Sequence, residues 1–199
     1  MSTANPSDII LEWQGPYEWF GEGVTSIFSG PSAESCGIYV WTVPIGTIYR
    51  VFYIGQTAKG LATRHHDHFR EYFGGAYSFY SPQEFVAGQL KYLYSGYAYR
   101  KPRWRYAVPF HERFIELIVP LLANLRAMRI WLAPLERPAR IQRRIETALM
   151  QVLYERGDAA GRFLQPGLHL EPRRDGEVPF SIMQSPSGLL EGIPEYLIA

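Results

Sequence analysis

Apolar and polar positions alternate most clearly near the middle of the chain. Gly37-Ile38-Tyr39-Val40-Trp41-Thr42-Val43 is rich in β-branched and aromatic residues and predicts a strand. Pro44-Ile45-Gly46 is turn-like, and Thr47 to Ile54 predicts a second strand, so the pair reads as an antiparallel hairpin. Side chains alternate along a strand. Tyr39, Trp41 and Val43 therefore share one face, and Tyr49, Val51 and Tyr53 share another; a suitable register sets Tyr39 beside Tyr53.

The period then changes to that of a helix. From Gly60 to Phe73, Leu61, Arg64, His65, His68, Phe69 and Tyr72 recur at helical spacing, and Gly74-Gly75 ends the run. Pro82 to about Leu93 also predicts a helix, residues 95–109 a loop, and Phe110 to Ala127 a helix that Pro120 should kink or divide. Met128 to Leu135 predicts a third strand. Pro138 suits the start of a helix running to about Arg156. This order describes an α/β domain: a small, mainly antiparallel sheet of three or more strands flanked by helices, with a helical insertion at about 74–127. Residues 1–35 read as an N-terminal extension, 36–156 as the main domain and 157–199 as an irregular C-terminal extension wrapping the core.

Composition narrows the class. No apolar run is long enough to span a membrane, so no membrane partner is expected. Met1 to Ser7 is polar and lacks the pattern of a secretory leader. Cys36 is the only cysteine, which excludes an internal disulfide or a multi-thiolate zinc site and makes a cytoplasmic setting the expectation. The net charge is only +1, but its distribution is uneven. Of 20 basic residues only Lys59, Lys91 and Lys101 are lysine, leaving 17 arginines, the side chain best shaped to grip phosphate. Lys91, Arg100, Lys101, Arg103 and Arg105 occur without an intervening acid. Tyr92, Tyr94, Tyr97, Tyr99, Trp104 and Tyr106 lie among them, a mixture that can follow a nucleic-acid backbone and stack on bases or, equally, tuck its aromatics into a core.

Several side chains are candidates for chemistry. Arg64 and His68 lie one turn apart on a helix face that must pack, where an arginine is costly unless paired or lining a site. Glu146 flanks the apolar stripe Ile141, Ile145, Ala148, Leu149, Val152 and Leu153, with Arg143 and Arg144 as structural alternatives for its partner. His65, His66, Asp67 and His68 are dense enough to consider a transition metal, although zinc helices more often use histidines at i, i+4.

Gly37-Ile38-Tyr39 and Tyr53-Ile54-Gly55 are the two tripeptides that name the GIY-YIG nuclease superfamily, and over about residues 36–156 the chain resembles it. Arg64 matches the arginine of the following helix, His68 the tyrosine or histidine one turn on, and Glu146 the metal-binding glutamate of the helix after the third strand. The resemblance implies a metal-dependent DNA endonuclease with Tyr39, Tyr53, Arg64, His68 and Glu146 as catalytic residues. It implies Mg²⁺ on Glu146, with Mn²⁺ a possible substitute, and 5′-phosphate and 3′-hydroxyl products. Arg100, Lys101, Arg103 and Arg105 are the DNA-binding candidates. Type II restriction enzymes of this superfamily carry comparable insertions, so the resemblance implies a restriction or defence role and a possible homodimer or higher homo-oligomer. The family's downstream asparagine is missing: no Asn follows Asn124, and Gln165 is favoured over Asp158 and His169 as its substitute. A DNA-binding module that keeps the fold without cleaving is the alternative, and a regulatory protein using the hairpin surface is a third reading.

Overall fold

The computed structural model describes residues 8–165, 170–186 and 188–199. Two short strands, β1 (Ile9–Glu12) and β2 (Gln14–Tyr17), precede the expected hairpin of β3 (Gly37–Ile45) and β4 (Ile48–Thr57). Helix α1 (Leu61–Phe73) follows. The insertion holds β5 (Phe79–Tyr80), α2 (Pro82–Val86), β6 (Tyr92–Tyr94), α3 (Arg103–Glu112) and α4 (Phe114–Ala127). Then come β7 (Arg129–Pro134), α5 (Ala139–Arg156), α6 (Ala159–Phe163), β8 (Ser181–Ser185), β9 (Leu190–Glu191) and β10 (Tyr196–Ile198).

The fold is mixed α/β. Its main sheet runs β2-β7-β3-β4-β9, antiparallel except for the β4–β9 pair. Alternation divides β3 between two cores. Ile38 and Val40 face Ile145, Leu149 and Leu153 of α5 and a second sheet, β1-β8-β10. Tyr39, Trp41 and Val43 face Leu61 and Tyr72 of α1 and Leu117, Leu121 and Leu125 of α4. Each such side chain, removed from water, contributes about 1.5–3 kcal/mol. Among the described residues no helix is long and apolar enough to cross a membrane.

The hairpin departs from simple alternation at one point. Trp41 pairs with Tyr53 and Thr42 with Val51, leaving Phe52 as an extra residue in β4. This bulge turns Phe52 and Tyr53 toward the same core, while Val51 and Tyr49 pack on the other side. Tyr49, Val51 and Tyr53 therefore do not share a face as strict alternation predicts. Tyr53 still stands beside Tyr39, with ring centroids 6.0 Å apart.

Other expectations also need correction. The helix expected from Pro82 to Leu93 stops at Val86, because Gly88 has φ +75° and Tyr92–Tyr94 turns back to pair with β5. The loop expected at 95–109 becomes helical at Arg103. The break in the following helix falls at Arg113 rather than at Pro120, which α4 carries inside it. Leu117, Leu121 and Leu125 hold that helix across the proline by burial at i, i+4, i+8. The terminal segments are more regular than their composition suggests: β2 joins the main sheet, and β1 pairs in parallel with β8 near the other end of the chain.

Candidate active site

Two glycines let the hairpin carry its tyrosines. Gly37 has φ +149°, and a Cβ there would collide with the carbonyl oxygen of Ala133 and sit 2.8 Å from the Leu135 nitrogen on neighbouring β7. Gly55 lies opposite Tyr39 in the ladder. A Cβ on it would enter the Tyr39 phenol and approach the Tyr53 ring to 2.8 Å. The Tyr39 ring thus lies over bare backbone, a position only glycine leaves open.

Tyr39 is fully buried. Its Oη is 2.7 Å from His68 Nε2 and accepts from Arg64 Nε at 3.2 Å. These are the side chains one turn apart on α1, so the helical spacing seen in the sequence delivers both to one phenol. Burial pushes the Tyr39 hydroxyl well above the ordinary phenol range; nearby Tyr53 adds to this, and the opposing charge of Arg64 does not overcome it. Burial likewise raises Tyr53, helped by Glu146. Burial opposes the Arg64 charge, yet Tyr39, Tyr53 and Tyr77 together hold it above its ordinary value. Burial first, then Arg64 and His65, keep His68 neutral, well below the usual imidazole range.

A cavity of about 430 Å³ opens where β4 runs on beyond its short pairing with β9 at Tyr49 and Arg50. Tyr53, Arg64 and His68 line one wall, and Glu146 from α5 lines another. Glu146 is held up at about 7, chiefly because burial disfavours its charge; Arg64 and Arg143 work against that. Arg143 is 2.9 Å from Glu171, and Arg144 is occupied by the carbonyls of Val178 and Ala199. Neither arginine therefore takes Glu146 as its direct ion-pair partner. Four of the five predicted residues line the cavity, and Tyr39 lies directly beneath it, bonded to two of them.

Gln165 also lines the cavity, anchored where its N–H donates to Phe52 O at 2.7 Å. Asp158 is instead the N-cap of α6 and pairs with Arg156 at 2.7 Å. His169 lies outside the described residues. His65 donates no ligand: its Nδ1 meets Leu61 O at 2.9 Å and its Nε2 accepts from Trp41 Nε1 at 2.8 Å. Burial lowers it to about 3. Among the described residues no three His, Cys, Asp or Glu side chains group as a metal site, so the histidine cluster does not form one.

Arg100, Lys101, Arg103 and Arg105 are all exposed. Arg103 bonds Glu71 and lines a second cavity, adjoining the first through Arg64, Tyr77 and Tyr99. Arg100 lies over Tyr106 and Arg105 over Trp104. The aromatics divide: Tyr97 is buried, whereas Tyr99 and Trp104 are each 69% exposed. Tyr99, one of the aromatics set among the bases in the sequence, lines the cavity, whereas sequence reading missed Tyr77, Gln56 and Glu171. For Gln56 a signal existed, since it follows the second tripeptide on the same strand; the others carry no local pattern. Comparison of the chain with protein-family models, curated proteins and solved structures finds no match.

Proposed function

We propose that this protein is a metal-dependent DNA endonuclease of the GIY-YIG type, leaving 5′-phosphate and 3′-hydroxyl ends, and of the restriction or defence kind. The observation that carries the reading is the convergence of Tyr53, Arg64, His68 and Glu146 on one cavity, with Tyr39 bonded beneath it. These side chains come from one strand pair and from helices on opposite faces of the sheet, and no packing requirement brings an arginine, a histidine and a glutamate together there.

The donor set fits Mg²⁺. Two carboxylates line the cavity, Glu146 and Glu171; Glu171 is paired with Arg140 and Arg143, which leaves Glu146 for an ion that keeps much of its water and takes phosphate oxygens as further ligands. When bound, that ion polarises the phosphate and eases departure of the 3′-oxygen. The chain's own groups do the rest. Arg64 is positioned to neutralise a phosphoryl oxygen. Its Nε stays bonded to the Tyr39 oxygen, where its charge favours the phenolate. His68 takes the Tyr39 proton, and Tyr53 orients water or phosphate at the cavity wall. Arg100, Lys101, Arg103 and Arg105 contact the DNA backbone, and a homodimer supplies one site for each strand.

The test is cleavage of long, mixed-sequence DNA with Mg²⁺, with Mn²⁺ and with EDTA, beside a Glu146→Ala variant. Metal-dependent cutting that the variant lacks is the expected result, with discrete fragments for a restriction enzyme. No cutting of duplex, branched or single-stranded DNA, with salt-dependent binding retained, would replace this reading with the non-cleaving DNA-binding module.

A further inference from the structure

The structure assigns Tyr77 as the positioning residue of a Tyr39–His68–Tyr77 chain, in which its oxygen holds His68 in the tautomer that can receive the Tyr39 proton. The hydrogen-bond inventory leads there. Arginine only donates, so the Tyr39 oxygen accepts from Arg64; of the two neighbours that can take the phenol hydrogen, Tyr53 and His68, we assign it to His68 Nε2, which lies at 2.7 Å. A neutral imidazole that accepts at Nε2 carries its hydrogen on Nδ1. His68 Nδ1 faces Tyr77 Oη at 3.2 Å. Tyr77 therefore accepts, and its own hydrogen is free toward the two cavities whose walls it shares.

The need for such a partner follows from burial. Tyr39 has no exposed surface, so its proton must leave through a neighbour. His68 is 2% exposed and sits beside Arg64, an environment that opposes an imidazolium. In the transfer the Tyr39 O–H bond breaks and an Nε2–H bond forms. The products are a phenolate facing Arg64 and an imidazolium whose Nδ1–H remains bonded to an oxygen. Tyr77 meets the histidine on the side away from Tyr39, and its ring packs edge-on to Tyr72 at 5.1 Å, which fixes its position. An orienting acceptor behind a catalytic histidine is a recurrent arrangement in which tautomer control contributes strongly to rate.

This inference rests on the nuclease reading for its kinetic consequence, but the tautomer can be measured without turnover. In full-length protein with ¹⁵N-labelled histidine, long-range proton–nitrogen correlation identifies the protonated nitrogen of each ring, and a His68→Gln spectrum assigns the signal. The expected result is an Nδ1–H His68 in the wild type. In Tyr77→Phe, which keeps the ring packing, a mixture of tautomers or the Nε2–H form should appear. An Nε2–H form in the wild type, or an unchanged Nδ1–H form in Tyr77→Phe, would overturn the assignment. Where the wild type cleaves DNA, Tyr77→Phe should lower kcat about 10- to 100-fold with KM little changed; an equal kcat would also overturn it. A wild type that cleaves nothing would sink the nuclease reading and leave the tautomer measurement to decide this one.

Discussion

Replacing Glu146 by glutamine removes a charge that the folded chain bears at a cost. Burial lifts its carboxyl from 4.5 to about 7. Below the lower value the carboxyl is protonated in both folded and unfolded chains, and glutamine resembles it. As pH rises, the unfolded chain releases this proton first, so wild-type stability falls until the folded carboxyl also ionises near 7. At roughly 1.4 kcal/mol per pH unit the full penalty is about 3 kcal/mol, and water reaching the side chain through the cavity reduces it toward about 2. Urea unfolding in EDTA at pH 5 and pH 8.5 reads the difference directly. The advantage of Glu146→Gln should grow by about 2 kcal/mol between these pH values, moving the midpoint by about 1 M. At pH 8.5, adding Mg²⁺ should then stabilise the wild type and leave the variant unchanged. Parallel pH profiles for the two proteins, or a variant less stable at pH 8.5, would refute the reasoning.

Other expectations follow from named contacts. Gly55→Ala should push the Tyr39 phenol off its seat, costing about 1–3 kcal/mol in urea unfolding and at least about 100-fold in cleavage rate. Trp41→Phe removes the donor to His65 Nε2 and leaves a buried acceptor unpaired; its cost of about 1–3 kcal/mol is measurable by thermal or urea unfolding. Since a metal ligand must be deprotonated, Mg²⁺ binding followed by titration calorimetry should weaken about tenfold per pH unit below 7. Neutralising Arg100, Lys101, Arg103 and Arg105 together should flatten the salt dependence of DNA affinity while leaving stability nearly intact, because all four side chains are exposed.

The parts of this molecule that the sequence announces are those set by local period. The α1 repeat places Arg64 and His68 on one face, and alternation along β3 sends Tyr39 and Trp41 to the same side. Glu146 was visible only as a polar residue beside an apolar stripe; its raised proton affinity needs the burial that tertiary packing supplies. Tyr77 had no signal at all, since its role depends on the turn after α1 bringing it back to His68. The short strands of both terminal segments escaped for a similar reason. Four residues such as Ile9–Glu12 become a strand by pairing with Ser181–Ser185, far away in the chain. Strict alternation groups Val51 with Tyr53, because it cannot register one extra residue between them.

That extra residue, Phe52, allows the fold to grow without disturbing its site. Were it absent, Val51 and Tyr53 would follow one another in an unbroken ladder against Thr42 and Trp41, and every other side chain of the hairpin would keep its face. What would be lost is the dock for the additions. The Phe52 ring meets Tyr80 and Phe85 of the insertion and Phe163 of α6, at centroid distances of 5.7, 5.2 and 5.7 Å. Its carbonyl receives Gln165, which reaches the cavity from there. A single extra residue is thus a coupling joint between the hairpin and the segments packed beside it. Accessory segments fastened at such a joint can be lengthened or exchanged while the tyrosine pair stays in frame.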